Sequence, residues 1–350
     1  MTRDATDHPL EKAGRVLRPG SVPRTARDCL SAWGMGGGAR VSSVRPQGTE
    51  LAVWPVLLAL LLLGCGGPQG DGEPDATTPD EPVLRFSAIP DQNTTQTREK
   101  LWPFIDHLAN TLKVPVKYVA SRDYQASVEM FKNSDVHLAW FGGLTGVQAR
   151  QAVPGARAIA QGESDPEFYS YFIVHRDSLA AGALQPSDEF PEGLGALPFT
   201  FGSESSTSGR LMPEHFIREA TGKGPGEFFE HPVGYSGSHD RTVELVESGQ
   251  FQAGAVNYTV YDRRVAEGKT DPDVVQVLWK TPPYADYNWT VRPDLDDTFG
   301  EGFTERLRQT LLAIDDPELL VALPRQRLIP ADNADFEGIR RVAESLDMLR

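Results

Sequence analysis

From residue 83 onward, short apolar runs alternate with stretches of helical period, and this alternation limits the chain to few architectures. Residues 83–89 (VLRFSAI) read as a strand, with Asp91, Asn93 and Thr94 as helix-start residues ahead of REKLWPFIDHLANTL. Residues 114–119 (VPVKYV) are a second strand, and Tyr124 opens the helix YQASVEMFKN. A third strand, 136–141 (VHLAWF), ends at Gly142-Gly143 with a helix from about Thr145, and 169–174 (YSYFIV) is a further strand. Alternating strands and helices predict a mostly parallel sheet. The pattern resets across 176–198, which is loop-like and carries Pro186, Pro191 and Pro198. Beyond it lie a short strand at 199–201, a helix with Met212, Phe216, Ile217 and Ala220 on one face, and a helix from Ser238 that Gly249 ends. A small-residue strand follows at 251–256, and an exit through TPPYADYNW leads to a helical last third from about Phe303. The expected fold class is α/β with two lobes, the second inserted into the first. Lobe 1 comprises 83–180 and 290–350, lobe 2 comprises 181–289, and the crossovers lie near 176–198 and 280–292.

The N-terminal part is different. Residues 51–63, LAVWPVLLALLLL, form a run of thirteen, too short to span a bilayer and the length of a signal-peptide core, with Arg40 and Arg45 as its positive flank. The run ends in Leu62-Leu63-Gly64-Cys65, which resembles the lipobox of bacterial lipoproteins and implies that Cys65 is lipidated as the first mature residue. Residues 1–64 then form a signal peptide with an N-terminal extension, started at either Met1 or Met35. Residues 66–82, GGPQGDGEPDATTPDEP, hold Gly, Pro and acid without apolar periodicity, so 65–82 is a flexible lipidated tether. The competing reading, a short buried helix with a chance cysteine, fits poorly beside such a segment. The body is therefore expected in the periplasm or otherwise outside the cytoplasmic membrane. Cys29 and Cys65 are the two cysteines, so the mature body has no disulfide, thiolate metal site or cysteine nucleophile. The formal net charge of −15 becomes −18 once residues 1–64, net +3, are removed. Such a surface is a poor partner for nucleic acid and is not steered toward anionic membranes.

Ligands of open α/β sheets bind beyond the carboxyl ends of strands. There the sequence GSESSTSGRLMP, residues 202–213, crowds five hydroxyls into six positions before a helix. Backbone N–H groups in a helix's first turn lack partners, and the dipole places partial positive charge there. Ser206, Thr207, Ser208 and Gly209 therefore read either as an N-capped serine-rich loop or as donors for an oxyanion that approaches closely over the Cβ-less glycine. His239 begins a second helix, where it is either structural or a donor to the same anion, and Gly142-Gly143-Leu144-Thr145 makes a third helix entry, from the other lobe. About six charge-assisted hydrogen bonds of roughly 1.5–3 kcal/mol each suffice for micromolar binding without a lysine.

Taken together, SAIPDQNT, SRDYQASVE, HLAWFGG, SSTSGRLMP, SGSHDRTVELVESGQFQAGAVNY and LIPADNADF resemble the phosphonate-binding proteins of ABC importers, a periplasmic family with the two-lobed type II binding-protein fold. The resemblance covers about 83–350, and TPPYADYNW with VNYTVYD is more similar to the branch assigned to selenate import. It implies a monomeric substrate-binding protein that captures a small oxyanion between its lobes and hands it to permease and ATPase subunits, with no cofactor. It tips the serine-rich turn toward binding and implies ligand contacts from Tyr124, Gly143, Thr145, Ser206, Thr207, Ser208, Gly209, His239, Asn257 and Tyr287.

Two positions depart from the family. Gly146 stands where it has a tyrosine, and Asn257 where aminophosphonate binders place an acid, which argues against an amine-bearing ligand. A fully deprotonated anion such as selenate or sulfate suits an all-donor site, whereas a protonated phosphate-like ion needs an acceptor, for which Glu204 and Asp240 are candidates. Tyr284, Tyr287 and Trp289 either wall the cleft or pack the hinge. An enzyme has little support: His239 and Asp240 are adjacent, so their side chains diverge, and no G-x-S-x-G, H-x-x-x-H or G-x-x-x-x-G-K-[ST] is present. The remaining alternative is an extracytoplasmic anion sensor for a membrane kinase.

Overall fold

Phe104, Leu108 and Leu112 repeat at helical spacing along α1 (Trp102–Leu112) and seat it on a sheet. The computed structural model describes residues 81–91, 99–180, 182 and 184–349. Cys29, Cys65, the run 51–63, most of the tether, and Asn93 with Thr94 lie outside the described residues. Among the described residues no helix is long and apolar enough to cross a membrane.

The first sheet holds six strands: β1 (Leu84–Ala88), β2 (Val116–Tyr118), β3 (Leu138–Phe141), β4 (Arg157–Gly162), β10 (Asn288–Val291) and β11 (Leu328–Pro330). They run in the order β11-β4-β10-β3-β1-β2. β1 is parallel to both β2 and β3, whereas β10 enters antiparallel between β3 and β4 with Trp289 opposite Trp140. Trp289 is fully buried, stacks on Phe104 with centroids 5.5 Å apart, and packs against Phe86 and Trp140, so it belongs to the lobe's core. Covering helices include α2 (Tyr124–Lys132) and α3 (Gly143–Ala152); α2 is started by Asp123, whose carboxylate accepts the Ala126 N–H at 2.7 Å.

The second sheet holds β5 (Ser170–His175), β6 (Phe199–Phe201), β7 (Gly234–Tyr235), β8 (Ala253–Asn257) and β9 (Val275–Lys280), in the order β7-β6-β8-β5-β9. Its helices include α4 (Met212–Thr221), α5 (His239–Glu247) and α6 (Tyr258–Ala266). β5 pairs with β8 and β9, so the chain has already changed sheets between Gly162 and Ser170 and not near 180. An apolar strand read alone does not say which sheet it joins, and the proline-rich stretch after it drew the boundary too late. The sequence reading also passed over β4, β7, β10 and β11, the last of them inside the stretch expected to be helical. β10 sits inside the segment read as an exit loop, and β4 (RAIAQG) is small-residue and mixed.

Two crossover segments join the lobes and pair with each other. Phe168 and Tyr284 exchange backbone hydrogen bonds of 2.9 and 2.8 Å, and the Asp286 N–H donates to Asp165 O at 3.0 Å. Asp165 is fully buried and accepts from Arg325 Nε at 2.9 and 3.0 Å and from the Gly162 N–H at 2.7 Å. Gly162 is required here because a Cβ would stand 2.4 Å from Arg325 Cδ.

Candidate functional site

β6 ends at Phe201 and the chain turns through the hydroxyl cluster into a widened, π-type turn (Thr207–Leu211) that runs into α4. Ser206 is the N-cap, and its Oγ accepts the Gly209 N–H at 2.9 Å. Ser206, Thr207 and Ser208 are buried, and the Thr207 and Ser208 N–H groups, ahead of the capped Gly209, open the turn where a helix start leaves donors without intrahelical acceptors. A Cβ on Gly209 would lie 3.0 Å from Ser206 Oγ and 3.1 Å from His239 Cε1, so only glycine lets these walls approach.

His239 follows the N-cap Ser238 at the start of α5. Its Nδ1 accepts the Asn257 N–H at 3.3 Å, and its Nε2 faces Ser208 Oγ at 3.4 Å. Burial, outweighing the opposing pull of Asp240, lowers the imidazole to about 4. The ring is therefore neutral at pH 7, and with Nδ1 accepting, the proton resides on Nε2, where it is a donor.

From lobe 1, α3 presents its N-terminus to the same turn. The Leu144 N–H donates to Thr207 Oγ1 at 3.0 Å, and the Gly143 N–H to Asp286 Oδ1 at 2.8 Å. Asp286 is buried, and its Oδ2 has no hydrogen-bond partner. Burial is the main force that lifts this carboxyl to about 7, against the Gly143 N–H and the Thr207 hydroxyl, which lower it. The Tyr124 hydroxyl, at the start of α2, is likewise buried with no atom at hydrogen-bond distance, and burial raises its pKa well above the usual phenol range against the neighbouring Ser206 hydroxyl, which lowers it. Two orphaned polar atoms thus sit with the donors, where leaving a polar group unpaired is costly.

The return crossover supports this cluster. Ser170 Oγ donates to Ser208 O at 2.6 Å, so its 2.6 Å contact with Tyr284 is an acceptance from the phenol. Tyr287 OH accepts from Asn257 Nδ2 at 2.8 Å and donates to Asp91 Oδ2 at 2.8 Å. This relay ties lobe 2, the crossover and the end of β1 together. Asp91 is lifted to about 6, chiefly by desolvation.

The structure therefore gathers Gly143, Ser206, Thr207, Ser208, Gly209 and His239 around one spot, with Tyr124 beside it. Thr145 and Asn257 take different parts. The Thr145 hydroxyl donates to Gly142 O at 3.2 Å, leaving it no proton for an anion. Asn257 Oδ1 caps α6, accepting from Thr259 N and Val260 N, while its amide holds Tyr287. Tyr287 and Tyr284 buttress the site, and Trp289 stands in the core. The cluster is not made of donors alone, because the Asp286 carboxyl stands within it. The other acids do not fill its place: Asp240 pairs with Arg264 at 3.0 Å, and Glu204 is exposed. Sequence reasoning missed Asp286; its only signal was an acid inside the aromatic-rich YADYNW.

The shifts carry a stability consequence. Asp286 rises from 3.8 to about 7, so folding favours its neutral form and stability falls as pH rises from about 4 through about 7. His239, lowered from 6.5 to about 4, makes stability fall as pH drops through that window. Without added anions, Asp286→Asn is expected to lose less melting temperature than wild type between pH 5 and pH 8; equal losses in scanning calorimetry would contradict the assigned environment.

Comparison with known proteins gives the family. Residues 86–336 fit the family described as ABC transporter, phosphonate, periplasmic substrate-binding protein. The chain is 38% identical over 273 residues, 77% of this chain and 91% of the other, to the probable ABC transporter phosphite binding protein PhnD1 of Prochlorococcus marinus (strain MIT 9301). The structure of that PhnD1 in complex with methylphosphonate superposes with a TM-score of 0.71, covering 76% of this chain and 98% of that one at 38% identity. A binding protein component of an ABC phosphonate transporter from Pseudomonas aeruginosa shares the fold at 20% identity and a TM-score of 0.64, covering 75% of this chain and 86% of that one. This chain belongs to the phosphonate-type periplasmic substrate-binding proteins of ABC importers, on the two-lobed type II fold.

Proposed function

We propose that the protein captures a small phosphorus oxyanion, phosphite or a short alkylphosphonate such as methylphosphonate, between its two lobes and delivers it to permease and ATPase partners. The Ser206–Gly209 turn, His239 Nε2–H and the Tyr124 hydroxyl bind the oxygens, while the Gly143 and Leu144 N–H groups at the α3 N-terminus hold Asp286 and Thr207 beside them. Asp286 is the acceptor for the one oxygen that carries a proton, or it supplies that proton itself. The observation that carries this reading is the pair of buried, unpartnered atoms, Asp286 Oδ2 and Tyr124 Oη, set among convergent donors. A relative 38% identical that is described as a phosphite binder, and whose structure holds methylphosphonate, supports the ligand class. An acid in the cluster disfavours selenate and sulfate, which bring no proton to share. The body works as a monomer, lipid-anchored through Cys65 and carried on the tether.

A thermal-shift panel of phosphite, methylphosphonate, phosphate, sulfate and selenate tests the reading. Phosphite or methylphosphonate is expected to raise the melting temperature saturably, and Thr207→Val to weaken binding about tenfold by leaving the Leu144 N–H and the Asp286 carboxyl without the hydroxyl. No shift with either phosphorus anion, or unchanged binding in Thr207→Val, sinks it.

A further inference from the structure

Gly146, where the family has a tyrosine, is not an empty position. A Cβ there would lie 2.8 Å from both amide atoms of Asn288 and 2.9 Å from Arg150 Nη1. Arg150 lies in the last turn of α3 and reaches back beneath Gly146. Its Nη1 donates to Asn288 Oδ1 at 2.9 Å and to Thr290 Oγ1 at 2.8 Å, and its guanidinium lies 4.8 Å from the Phe336 ring centre. Its Nη2 is buried and donates to no protein atom. Arg210, Arg264 and Arg325 face Glu214, Asp240 and Asp165, whereas Arg150 has no carboxylate at ion-pair distance among the described residues. The half-buried guanidinium is held chiefly by Asn288 and Thr290, with the Asp335 carboxylate near enough to favour its charge but not at ion-pair distance.

Asn288 links Arg150 to the site. Its Nδ2 donates to the Asp286 main-chain oxygen at 3.3 Å, while its Oδ1 is gripped by Arg150. The residue that fills the space opened by Gly146 thus holds the backbone from which Asp286 reaches Gly143. We propose that Arg150 is a positioning residue of the anion site, fixing Asp286 through Asn288 from behind the α3 N-terminus.

The inference rests on the functional reading above, and one experiment separates the two. Calorimetric affinities for methylphosphonate and phosphite are measured with melting temperatures without added anion. The proteins compared are wild type, Arg150→Met, Arg150→Gln, Asp286→Ala and the Arg150→Met/Asp286→Ala pair, in which no side chain at 286 is left to position. Arg150→Met is expected to weaken binding about tenfold with its melting temperature little changed, because the half-buried guanidinium forms no ion pair and Thr290 still donates to Asn288 Oδ1. In the pair, its effect should vanish, since the two residues act as a unit. Wild-type affinity in Arg150→Met overturns the proposal, as does a loss that tracks a fallen melting temperature, or losses that add in the pair. Should Arg150→Met fail to fold, Arg150→Gln, too short to reach Asn288, is expected to lose affinity likewise, and wild-type affinity there is equally fatal. A wild-type protein that binds neither anion defeats the functional reading itself.

Discussion

Asp286→Asn is expected to abolish the pH dependence of methylphosphonate binding. In the account above, the closed complex holds one proton between the ligand and the Asp286 carboxyl, whose pKa stands at about 7. A protonated carboxyl donates to a dianion, and an ionised one accepts from a monoanion; both give the same complex. Once pH exceeds the pKa values of both partners, binding must take up a proton, and affinity falls about tenfold per pH unit. Between pH 7 and pH 9 the wild type should lose roughly ten- to fiftyfold in affinity, with the full tenfold per unit reached only above about pH 8. An asparagine amide donates to the dianion or accepts from the monoanion by turning over, so the variant's affinity stays nearly flat. Its preference for phosphorus anions over sulfate should fall as well, since the acid no longer disfavours an unprotonated ion. Calorimetric titration across this range checks both results, and parallel slopes for the two proteins would contradict them.

The second large effect concerns the fold. Arg325→Met leaves Asp165 buried in the crossover without its guanidinium, which is expected to destabilise the protein by about 3–5 kcal/mol. For a body of this size the melting temperature should drop roughly 10 °C. Adding Asp165→Asn to Arg325→Met removes the stranded charge while keeping an acceptor for the Gly162 N–H, so most of the loss should return. Thermal unfolding of the three proteins decides the matter. If the double variant is as unstable as Arg325→Met, packing of the arginine against Trp140, Phe168 and Tyr287 matters more than its charge.

What was legible in the sequence is what local chemistry encodes. The serine-rich turn and the SHD helix start announce themselves because N-caps and orphan N–H groups depend on a few neighbouring residues. The alternation of strands and helices gave the α/β class for the same reason. Sheet membership is a long-range property: β5 crosses to the second sheet, and nothing in SYFIVH says so. Asp286 was invisible because it meets Gly143 across 143 residues, placed there by the return crossover that leads into an antiparallel β10. Asn257 was read as a ligand contact from its place at a strand end, yet the same place makes it the cap of α6. Thr145 turned back onto its own helix entry. Gly146, seen as a missing hydroxyl, is where Asn288 and Arg150 pass.

The central claim is that a phosphorus oxyanion docks where the lobes meet and shares one proton with Asp286. Calorimetric titration of methylphosphonate at about pH 8.5, in two buffers of different ionisation enthalpy, counts that proton. Wild type is predicted to take up close to one proton per ligand bound, and Asp286→Asn none. Saturable binding with no proton uptake in either protein, or equal uptake in both, would contradict the claim.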